Sequence, residues 1–188
     1  MIRRVQPWKT KSSQRVLHDR WISVRADDCV TAEGVEISPY YVLEYPDWVH
    51  IVALDREEHV LLVRQYRHAL GRVSLELPAG GVDAKDEGLL AAAARELLEE
   101  TGFGNAERMT LVASHSPNTA SHANSAHTVL AENVTAIQPP QYDEIEVLEV
   151  ERVPYREALR LALSGAIPQS MHITSLVLGL RAAKKIDL

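Results

Sequence analysis

Three glutamates, Glu96, Glu99 and Glu100, lie close together in the run RELLEETG and are named here the acidic helix face. Successive helical residues turn by about 100°, so these side chains would share about a third of a helix circumference. Like charges at this spacing repel, and burial raises the cost. Mg²⁺ removes the repulsion because it prefers carboxylate oxygens, water and substrate phosphates as ligands. The spacing therefore predicts a divalent metal site, with an ordinary solvated helix face as the alternative.

An amphipathic pattern predicts that these glutamates belong to one helix, in the run EGLLAAAARELLEETG. Small and apolar residues recur there at three- and four-residue spacing and predict a core face made of Leu90, Ala93, Ala94, Leu97 and Thr101. We expect the acidic helix face to lie off this core face. Gly102 follows as a helix stop, and the glycine-rich bend LPAGGVDAKD precedes the helix.

Strand signals fill most of the remaining chain. Strands are predicted in WISVRADDCV, VEISPYYVLEY, WVHIVAL, HVLLVRQYR and IEVLEVERV, and a strand, polar loop and strand are predicted over 109–131. A helix is expected to begin at Pro154, and a last helix runs from about Met171 to Lys185. The first fifteen or so residues are expected to be loosely ordered. Strands with a few helices and no regular alternation predict an α+β fold.

Composition excludes several classes of function. The 188 residues carry a net charge of −6, which disfavours a nucleic-acid partner. The single cysteine, Cys29, excludes an internal disulfide and a multi-cysteine zinc site. No apolar run approaches the roughly 20 residues that a membrane helix needs, so no membrane partner is expected. The N-terminus lacks the apolar stretch of a secretory signal, and we expect a cytoplasmic protein.

A longer frame surrounds the acidic helix face. It reads Gly81, five residues, Glu87, seven residues, and then RELLEETGF from Arg95 to Phe103. This frame matches every fixed position of the Nudix box, G-x5-E-x7-R-E-U-x-E-E-x-G-U, in which U is apolar. Together with VRQYRHALGRVSLELPAGG upstream, the chain resembles the ADP-ribose pyrophosphatase branch of the Nudix hydrolases, over roughly Trp21 to Leu180.

The resemblance implies a Nudix fold, in which an α/β/α sandwich surrounds a mixed sheet, with an additional N-terminal antiparallel sheet. It implies a division into an N-terminal arm with antiparallel strands, residues 1–45, and a catalytic domain, residues 46–188. In this branch the N-terminal strands commonly form a dimer, so residues 1–45 are predicted to be a dimerisation element of a homodimer.

The resemblance also implies roles for the residues of the box. The acidic helix face would hold Mg²⁺, or alternatively Mn²⁺, against the substrate's phosphates, and the backbone carbonyl of Gly80 would complete a metal shell. Because LPAGGVDAKDE is one residue longer than the family's usual LPAGGVDPGE, the carbonyl lies at Gly80 or one residue from it. Glu87 and Arg95 would form a supporting ion pair between loop and helix.

A carboxylate near the metal would take a proton from the attacking water. Glu99 and Glu100 are candidates for this catalytic base. The other candidates lie in the later run DEIE, where Glu144 is preferred over Asp143 and Glu146. An acidic turn before a strand is the alternative interpretation of that run.

Further residues are candidates for substrate binding. Arg64 and Arg67 could each bind phosphate through two hydrogen bonds, although surface arginines on a strand are as plausible. Trp21 and Tyr40 could stack on a nucleobase, whereas aromatic residues in strands are more often core or interface residues. Pro117, fifteen residues beyond the helix stop, lies close to a marker proline of ADP-ribose hydrolases in the family.

The predicted reaction is hydrolysis of the pyrophosphate bond of a small nucleoside diphosphate derivative, with ADP-ribose giving AMP and ribose 5-phosphate. The alternatives are a nucleotide sugar such as GDP-mannose, or a Nudix module that senses a nucleotide without cleaving it. All the box acids are present, which favours the enzyme. His115, His122 and His127 suggest a zinc site, but their irregular spacing in a loop fits substrate contacts better.

Overall fold

The structure, a computed structural model, describes residues 4–141 and 147–187. The chain divides into two compact units. The N-terminal unit comprises Met1–Pro46 and Ser116–Ser125, and the larger unit comprises Asp47–His115 and Ala126–Leu188. The division after Pro46 lies one residue from the predicted boundary at 45/46. The segment 116–125, which the prediction placed in the catalytic domain, instead belongs to the N-terminal unit.

The N-terminal unit is built on a three-stranded antiparallel sheet in the order β1-β2-β3. Its strands are β1 (Lys9–His18), β2 (Ser23–Val30) and β3 (Glu36–Leu43). The predicted hairpin of β2 and β3 is confirmed, and its turn contains Gly34 at a φ of 83°. The expectation of a loosely ordered N-terminus was wrong, since β1 pairs with β2 along its length. Every side chain of β1 is exposed, so the strand has no apolar alternation to reveal it.

The segment 116–125 docks on the end of β3 through backbone hydrogen bonds. The Leu43 N–H donates to the Ser121 carbonyl at 2.7 Å, and the Ala123 N–H donates to the Leu43 carbonyl at 3.0 Å. The ring of His122 stacks on Tyr45, with 5.6 Å between ring centroids. These contacts explain why a segment so distant in sequence belongs to the N-terminal unit.

The larger unit contains a mixed sheet in the order β11-β5-β4-β10-β8, with β6 paired to β5, β7 to β4 and β9 to β10. Its strands are β4 (Trp48–Asp55), β5 (His59–Arg67), β6 (Arg72–Glu76), β7 (Ala79–Gly81), β8 (Phe103–Gly104), β9 (Arg108–His115), β10 (Ala126–Ala136) and β11 (Leu148–Pro154). Strands β4 and β10 run parallel, whereas the other pairs are antiparallel.

In the described part of the chain, three α-helices pack on the sheet and contribute to two apolar clusters. They are α1 (Leu89–Thr101), α2 (Tyr155–Leu163) and α3 (Ser170–Ala182). Buried residues of α1 belong to one cluster with β4 and β10, and buried residues of α2 and α3 belong to another. The predicted α+β fold with a mixed sheet and a separate antiparallel sheet is confirmed. Among the described residues, no helix combines the length and apolar character needed to cross a membrane.

The chain passes through a fork in the sheet just before α1. Within the described residues, the ladder between β4 and β5 is confined to Leu54 and Val60. Beyond that pair, β6 extends the sheet along β5 and β7 extends it along β4. Residues 76–79, named here the crossing segment, carry the chain from one arm of the fork to the other. They lead directly into the glycine-rich bend.

Candidate metal site

Helix α1 has a different buried face from the predicted one. Its buried residues are Ala92, Ala93, Leu97, Glu100 and Thr101. Leu90, predicted to be in the core, is 41% exposed, and Ala94 is also exposed. The prediction was wrong because it treated every carboxylate as outward-facing, whereas the Glu100 side chain turns inward beside the glycine-rich bend.

Two members of the acidic helix face contact β7 directly. The Ala79 N–H donates a 3.0 Å hydrogen bond to a Glu100 carboxylate oxygen, and Glu100 is only 8% exposed. A Cβ added at Gly80 would lie 2.1 Å from the Glu96 carboxyl carbon. A side chain at position 80 would therefore displace the Glu96 carboxylate, so glycine leaves the space in which that carboxylate approaches the strand.

The ladder between β4 and β7 determines which backbone carbonyl faces the helix. The Ile51 N–H donates to the Pro78 carbonyl at 2.8 Å, and the register places Gly80 opposite Val49. Bonded and non-bonded pairs alternate along an antiparallel ladder, so the carbonyl of Gly80 points to Val49. The N–H and the carbonyl of Ala79 point away from β4, and this N–H donates to the Glu100 carboxylate. The carbonyl of Gly80 therefore pairs with β4, whereas the carbonyl of Ala79, within the range of one residue left open by the sequence, is directed away from β4 and is the candidate carbonyl ligand.

Arg95 ties the helix to the loop that precedes it. Its guanidinium donates to both oxygens of Asp86, at 3.0 and 2.9 Å. It also donates to Glu96 at 2.8 Å, to Glu99 at 3.0 Å and to the Gly81 carbonyl at 3.0 Å. A rigid fork of N–H donors suits such multiple contacts better than an ammonium group would. One guanidinium therefore positions two members of the acidic helix face.

The carboxylate partner of Arg95 differs from the predicted one. Glu87 is exposed, and the loop carboxylate that Arg95 binds is Asp86. A tight turn sets this choice, because the Asp83 N–H donates to the Asp86 carboxylate at 2.8 Å. The hydrogen bond from Arg95, followed by that of Asp83, lowers the pKa of Asp86 to about 2. The extra residue in VDAKDE thus brings the preceding acid to the position that the box assigns to glutamate.

The donor set of the acidic helix face fits a hard divalent cation. In the part of the chain that the structure describes, no three His, Cys, Asp or Glu side chains already converge on one ion position. Glu96 and Glu99 instead bind the Arg95 guanidinium. Glutamate side chains reorient by rotation about single bonds, and carboxylate and carbonyl oxygens are the ligands that Mg²⁺ and Mn²⁺ prefer. Glu96, Glu99, Glu100 and the Ala79 carbonyl together provide such a set.

The two arginines predicted to bind phosphate do not form a common clamp. Arg64 pairs with Glu151 on β11, and Arg67 donates to both oxygens of Glu76, at 2.9 and 2.6 Å. They are three residues apart on one strand, so their side chains leave opposite faces of the sheet. The two guanidinium groups therefore cannot bind the same phosphate together.

The remaining predicted substrate residues belong to the N-terminal unit. Trp21 is 65% exposed, and the Arg20 guanidinium lies 4.3 Å from its ring centroid. The Tyr40 hydroxyl donates to the Ala120 carbonyl. Pro117 lies in the segment 116–125 that docks on β3. The structure groups these three predicted contacts in one unit, while the acidic helix face lies in the other.

Glu144, the preferred catalytic base from the later acidic run, lies outside the described residues, as do Asp143 and Glu146. The three histidines occupy different environments. His122 stacks on Tyr45, whereas His127 is buried and is bonded to the Ser114 hydroxyl at 2.7 Å and to Asp47 at 3.2 Å. His115 is exposed at the end of β9. A zinc site is not formed by these three in the described structure.

A buried set of polar residues was missed by sequence reasoning. This buried polar cluster comprises His50, Glu76, Thr128, His172 and Ser175. Burial alone would raise the pKa of Glu76, but hydrogen bonds from His172 and Arg67 outweigh it and hold that pKa well below its usual range. Polar residues inside apolar strand runs, as in WVHIVAL and SLELPAG, were the available signal.

Two sequence families match the chain. The NUDIX domain family matches residues 44–172. The family described as the nucleoside diphosphate sugar hydrolase N-terminal domain matches residues 8–43.

Individual relatives extend the similarity over most of the chain. An ADP-ribose pyrophosphatase from Bacillus subtilis is 29% identical over 160 residues, which cover 85% of each chain. One from Mycobacterium tuberculosis is 32% identical over 166 residues, covering 88% of this chain and 80% of the relative. A crystal structure described as an ADP compounds hydrolase superposes with a TM-score of 0.83 at 24% identity, covering 98% of this chain and all of the other. This structural likeness confirms the predicted fold.

Proposed function

This chain belongs to the Nudix family of hydrolases, and on that premise we propose that it hydrolyses the pyrophosphate bond of ADP-ribose to give AMP and ribose 5-phosphate. The observation that carries the proposal is the acidic helix face, whose Glu96 and Glu100 contact the strand at Gly80 and Ala79. The relatives named as ADP-ribose pyrophosphatases support the choice of substrate.

The acidic helix face and the Ala79 carbonyl would hold Mg²⁺, with Mn²⁺ as a substitute. When bound, the cation would withdraw negative charge from the diphosphate oxygens and would make a bound water more acidic. Arg95 holds Glu96 and Glu99 near the bend, which limits the reorganisation needed before substrate binds. Gly80 allows the strand to lie close to Glu96, so that carboxylate and backbone oxygens could bind the same cation.

The proposed general base is Glu99, Glu100 or Glu144. Glu99 has a 47% exposed side chain, so it is accessible to an incoming water. Glu100 is buried and accepts from the Ala79 N–H, which suits the role of metal ligand better than that of base. The test measures kcat and Mn²⁺ affinity together for Glu99→Gln, Glu100→Gln and Glu144→Gln. Loss of the base lowers kcat by about 10²–10⁴-fold, whereas loss of a metal ligand also weakens Mn²⁺ binding, so the base is the residue whose variant loses kcat and keeps Mn²⁺ affinity.

The proposed function is tested with a substrate panel at fixed Mg²⁺: ADP-ribose, GDP-mannose, UDP-glucose, NADH, diadenosine polyphosphates and dGTP. Products are separated by ion-exchange chromatography, and each reaction is repeated in EDTA. We expect ADP-ribose to have the highest kcat/KM, with AMP as product and no turnover in EDTA. A wild-type enzyme that leaves ADP-ribose intact while hydrolysing another member would reject the proposed substrate.

A nucleotide sugar is the second candidate substrate. It is favoured by the match of residues 8–43 to the N-terminal domain of nucleoside diphosphate sugar hydrolases. In the same panel, a preference for GDP-mannose or UDP-glucose would select this candidate and keep the reaction type. Tight binding of one member without turnover would instead select a nucleotide-sensing module.

The N-terminal unit is proposed to form the interface of a homodimer. Several large apolar side chains of this unit are at least half exposed: Trp8, Val16, Leu17, Trp21 and Tyr41. Large apolar side chains exposed to this extent are typical of protein interfaces where they form one patch. Light scattering coupled to gel filtration should give twice the 20.9 kDa chain mass, and a monomeric mass at micromolar concentration would reject the dimer. A cytoplasmic location stays a prediction.

A further inference from the structure

The crossing segment is the part of the backbone that delivers Ala79 to the acidic helix face. It begins at Glu76 and runs through Leu77 and Pro78 to Ala79. Only Leu77 and Pro78 thus separate the buried Glu76, which is 1% exposed, from the proposed carbonyl ligand. A displacement of the crossing segment would therefore move that ligand, because consecutive Cα atoms are held about 3.8 Å apart.

His172 of α3 contacts the crossing segment with both nitrogens of its ring. The Leu77 N–H lies 3.3 Å from His172 Nδ1, and His172 Nε2 lies 3.3 Å from a Glu76 carboxylate oxygen. A backbone N–H can only donate, so Nδ1 is the acceptor. The neutral ring then carries its proton on Nε2 and donates it to Glu76. One side chain thus binds a backbone donor and a side-chain acceptor of the crossing segment.

The surroundings hold the His172 ring in place. The ring is almost fully buried and packs on His50, with 4.6 Å between ring centroids. His50 in turn is bonded to the Ser175 hydroxyl at 3.1 Å, and Ser175 accepts from Thr128 at 2.8 Å. A side chain fixed on several sides by packing and hydrogen bonds imposes its own geometry on its partners.

We propose that His172 is a positioning residue that fixes the crossing segment and thereby sets the Ala79 carbonyl for metal binding. The inference rests on the proposed function, because it assumes the metal site at the acidic helix face. His172 acts from a different helix, α3, 69 residues beyond Phe103, the last residue of the box. It would contribute to metal affinity without contacting the metal or the substrate.

The expected size of the effect follows from the behaviour of residues that orient metal ligands. A residue that orients a metal ligand without binding the metal is called here an outer partner. Loss of an outer partner typically weakens metal binding by about 10–100-fold. Replacement of His172 by Leu removes both hydrogen bonds while keeping an apolar side chain in the core. Replacement by Asn leaves a carbonyl oxygen near the position of Nδ1, so it keeps an acceptor for the Leu77 N–H.

Ser175→Ala is the matched control. Ser175 lies on the same helix, is also buried and belongs to the same cluster, but its hydroxyl is hydrogen-bonded to His50 and Thr128 rather than to the crossing segment. It should lower stability through lost buried hydrogen bonds, by about 1 kcal/mol or more, yet leave the crossing segment in place. A general loosening of the core would affect both variants alike.

The experiment measures Mn²⁺ binding by electron paramagnetic resonance, from the loss of the free-ion signal, on the full chain without substrate. Circular dichroism confirms that each variant is folded at the temperature used. We expect His172→Leu to weaken Mn²⁺ binding by about tenfold or more, in line with the loss of an outer partner. His172→Asn should recover part of that loss, and Ser175→Ala should bind like the wild type.

The proposal is overturned if every folded variant at His172 binds Mn²⁺ within about threefold of Ser175→Ala, well short of the tenfold loss expected for an outer partner. If His172→Leu does not fold, His172→Asn is judged by the same threshold. The measurement uses no substrate, so wild-type protein that binds Mn²⁺ but leaves ADP-ribose intact would reject the proposed substrate and not this inference. Absence of Mn²⁺ binding by the wild type would overturn both.

Discussion

The acidic helix face and the buried polar cluster both bring carboxylates to the chain that links β6 with β7, and they distribute charge in opposite ways. In the cluster, the single carboxylate of Glu76 receives donors from Arg67 and His172. On the helix, the single guanidinium of Arg95 is shared by three carboxylates, those of Asp86, Glu96 and Glu99.

This difference indicates what each region does. A buried carboxylate with several hydrogen-bond donors is a low-energy arrangement that fixes the backbone around it. Several carboxylates that share one cation retain attraction for a further positive charge. The cluster is therefore built as a rigid support, and the acidic helix face has the excess negative charge that the proposed metal site requires.

The largest effect should come from Glu100→Gln. The variant loses a proposed metal ligand, and its kcat on ADP-ribose should fall by more than about a hundredfold, beyond the range for an outer partner. Stability should be kept, because an amide oxygen can still accept from the Ala79 N–H. Steady-state kinetics and urea unfolding test the two statements. Glu87→Gln, which changes an exposed carboxyl in the same box, should retain wild-type kinetics. Full activity of Glu100→Gln would refute the metal assignment.

Arg95→Lys should produce the next largest effect. Lysine keeps the positive charge but lacks the fork that reaches Asp86, Glu96 and Glu99 together. We expect kcat/KM to fall by about tenfold or more, because the carboxylates lose their common orientation. The control is Arg108→Lys, which alters an exposed pair with Glu132 and should have no kinetic effect. Equal kcat/KM for Arg95→Lys and the wild type would contradict the role given to the guanidinium.

The buried polar cluster should make the fold sensitive to acid through His50. Burial, and then the nearby His172, lower the pKa of His50 from 6.5 to about 3, while Glu76 opposes that shift. Between these values the unfolded chain takes up a proton that the folded chain does not. Stability is therefore lost as pH falls below about 6.5, by up to about 1.4 kcal/mol per pH unit.

His50→Gln should remove this part of the pH dependence. Urea unfolding of both proteins at several pH values between 7.5 and 4.5 measures it, and the two curves should converge as pH falls. Parallel curves across the range would show that His50 is not kept neutral by the fold.

The smallest effect should come from Asp86→Asn. Arg95 lowers the pKa of Asp86 to about 2, so this carboxylate stabilises the fold above its ordinary pKa and loses that contribution as pH falls toward 2. The variant should have a slightly lower Tm at pH 7, and the difference should shrink below pH 4. Glu87→Gln provides the comparison at the neighbouring position. A larger loss for Glu87→Gln than for Asp86→Asn would restore the pairing predicted from the box.

Local patterns in the sequence predicted the features that depend on local physics. The helix α1 and its stop at Gly102 are confirmed, with the glycine at a φ of 71°, although Leu90 and Ala94 of its predicted core face are exposed. The hairpin of β2 and β3 also follows from local turn and alternation signals. Strand β1 was not predicted, because it is stabilised by backbone pairing with β2 and its exposed side chains show no apolar alternation.

The site itself could be predicted only in part, because its details depend on the path of the loop. Counting residues assigns Glu87 to Arg95, whereas the turn at Asp83 brings Asp86 instead. The choice between the carbonyls of Gly80 and Ala79 depends on which residues of β7 are hydrogen-bonded to β4. The spacing of residues in the sequence does not determine this register. The contact of His172 with Leu77 joins residues 95 positions apart, and no local pattern connects them.

The most direct test of the central claim is urea unfolding at pH 7.5 of the wild type and of Glu96→Gln/Glu99→Gln/Glu100→Gln, each with and without Mg²⁺. We predict that Mg²⁺ stabilises the wild type, by about 2.7 kcal/mol when present at a hundredfold excess over its Kd. The variant should not respond to Mg²⁺, and without the metal it should be at least as stable as the wild type. Equal responses of both proteins to Mg²⁺ would mean that the acidic helix face is a solvated surface and not a metal site.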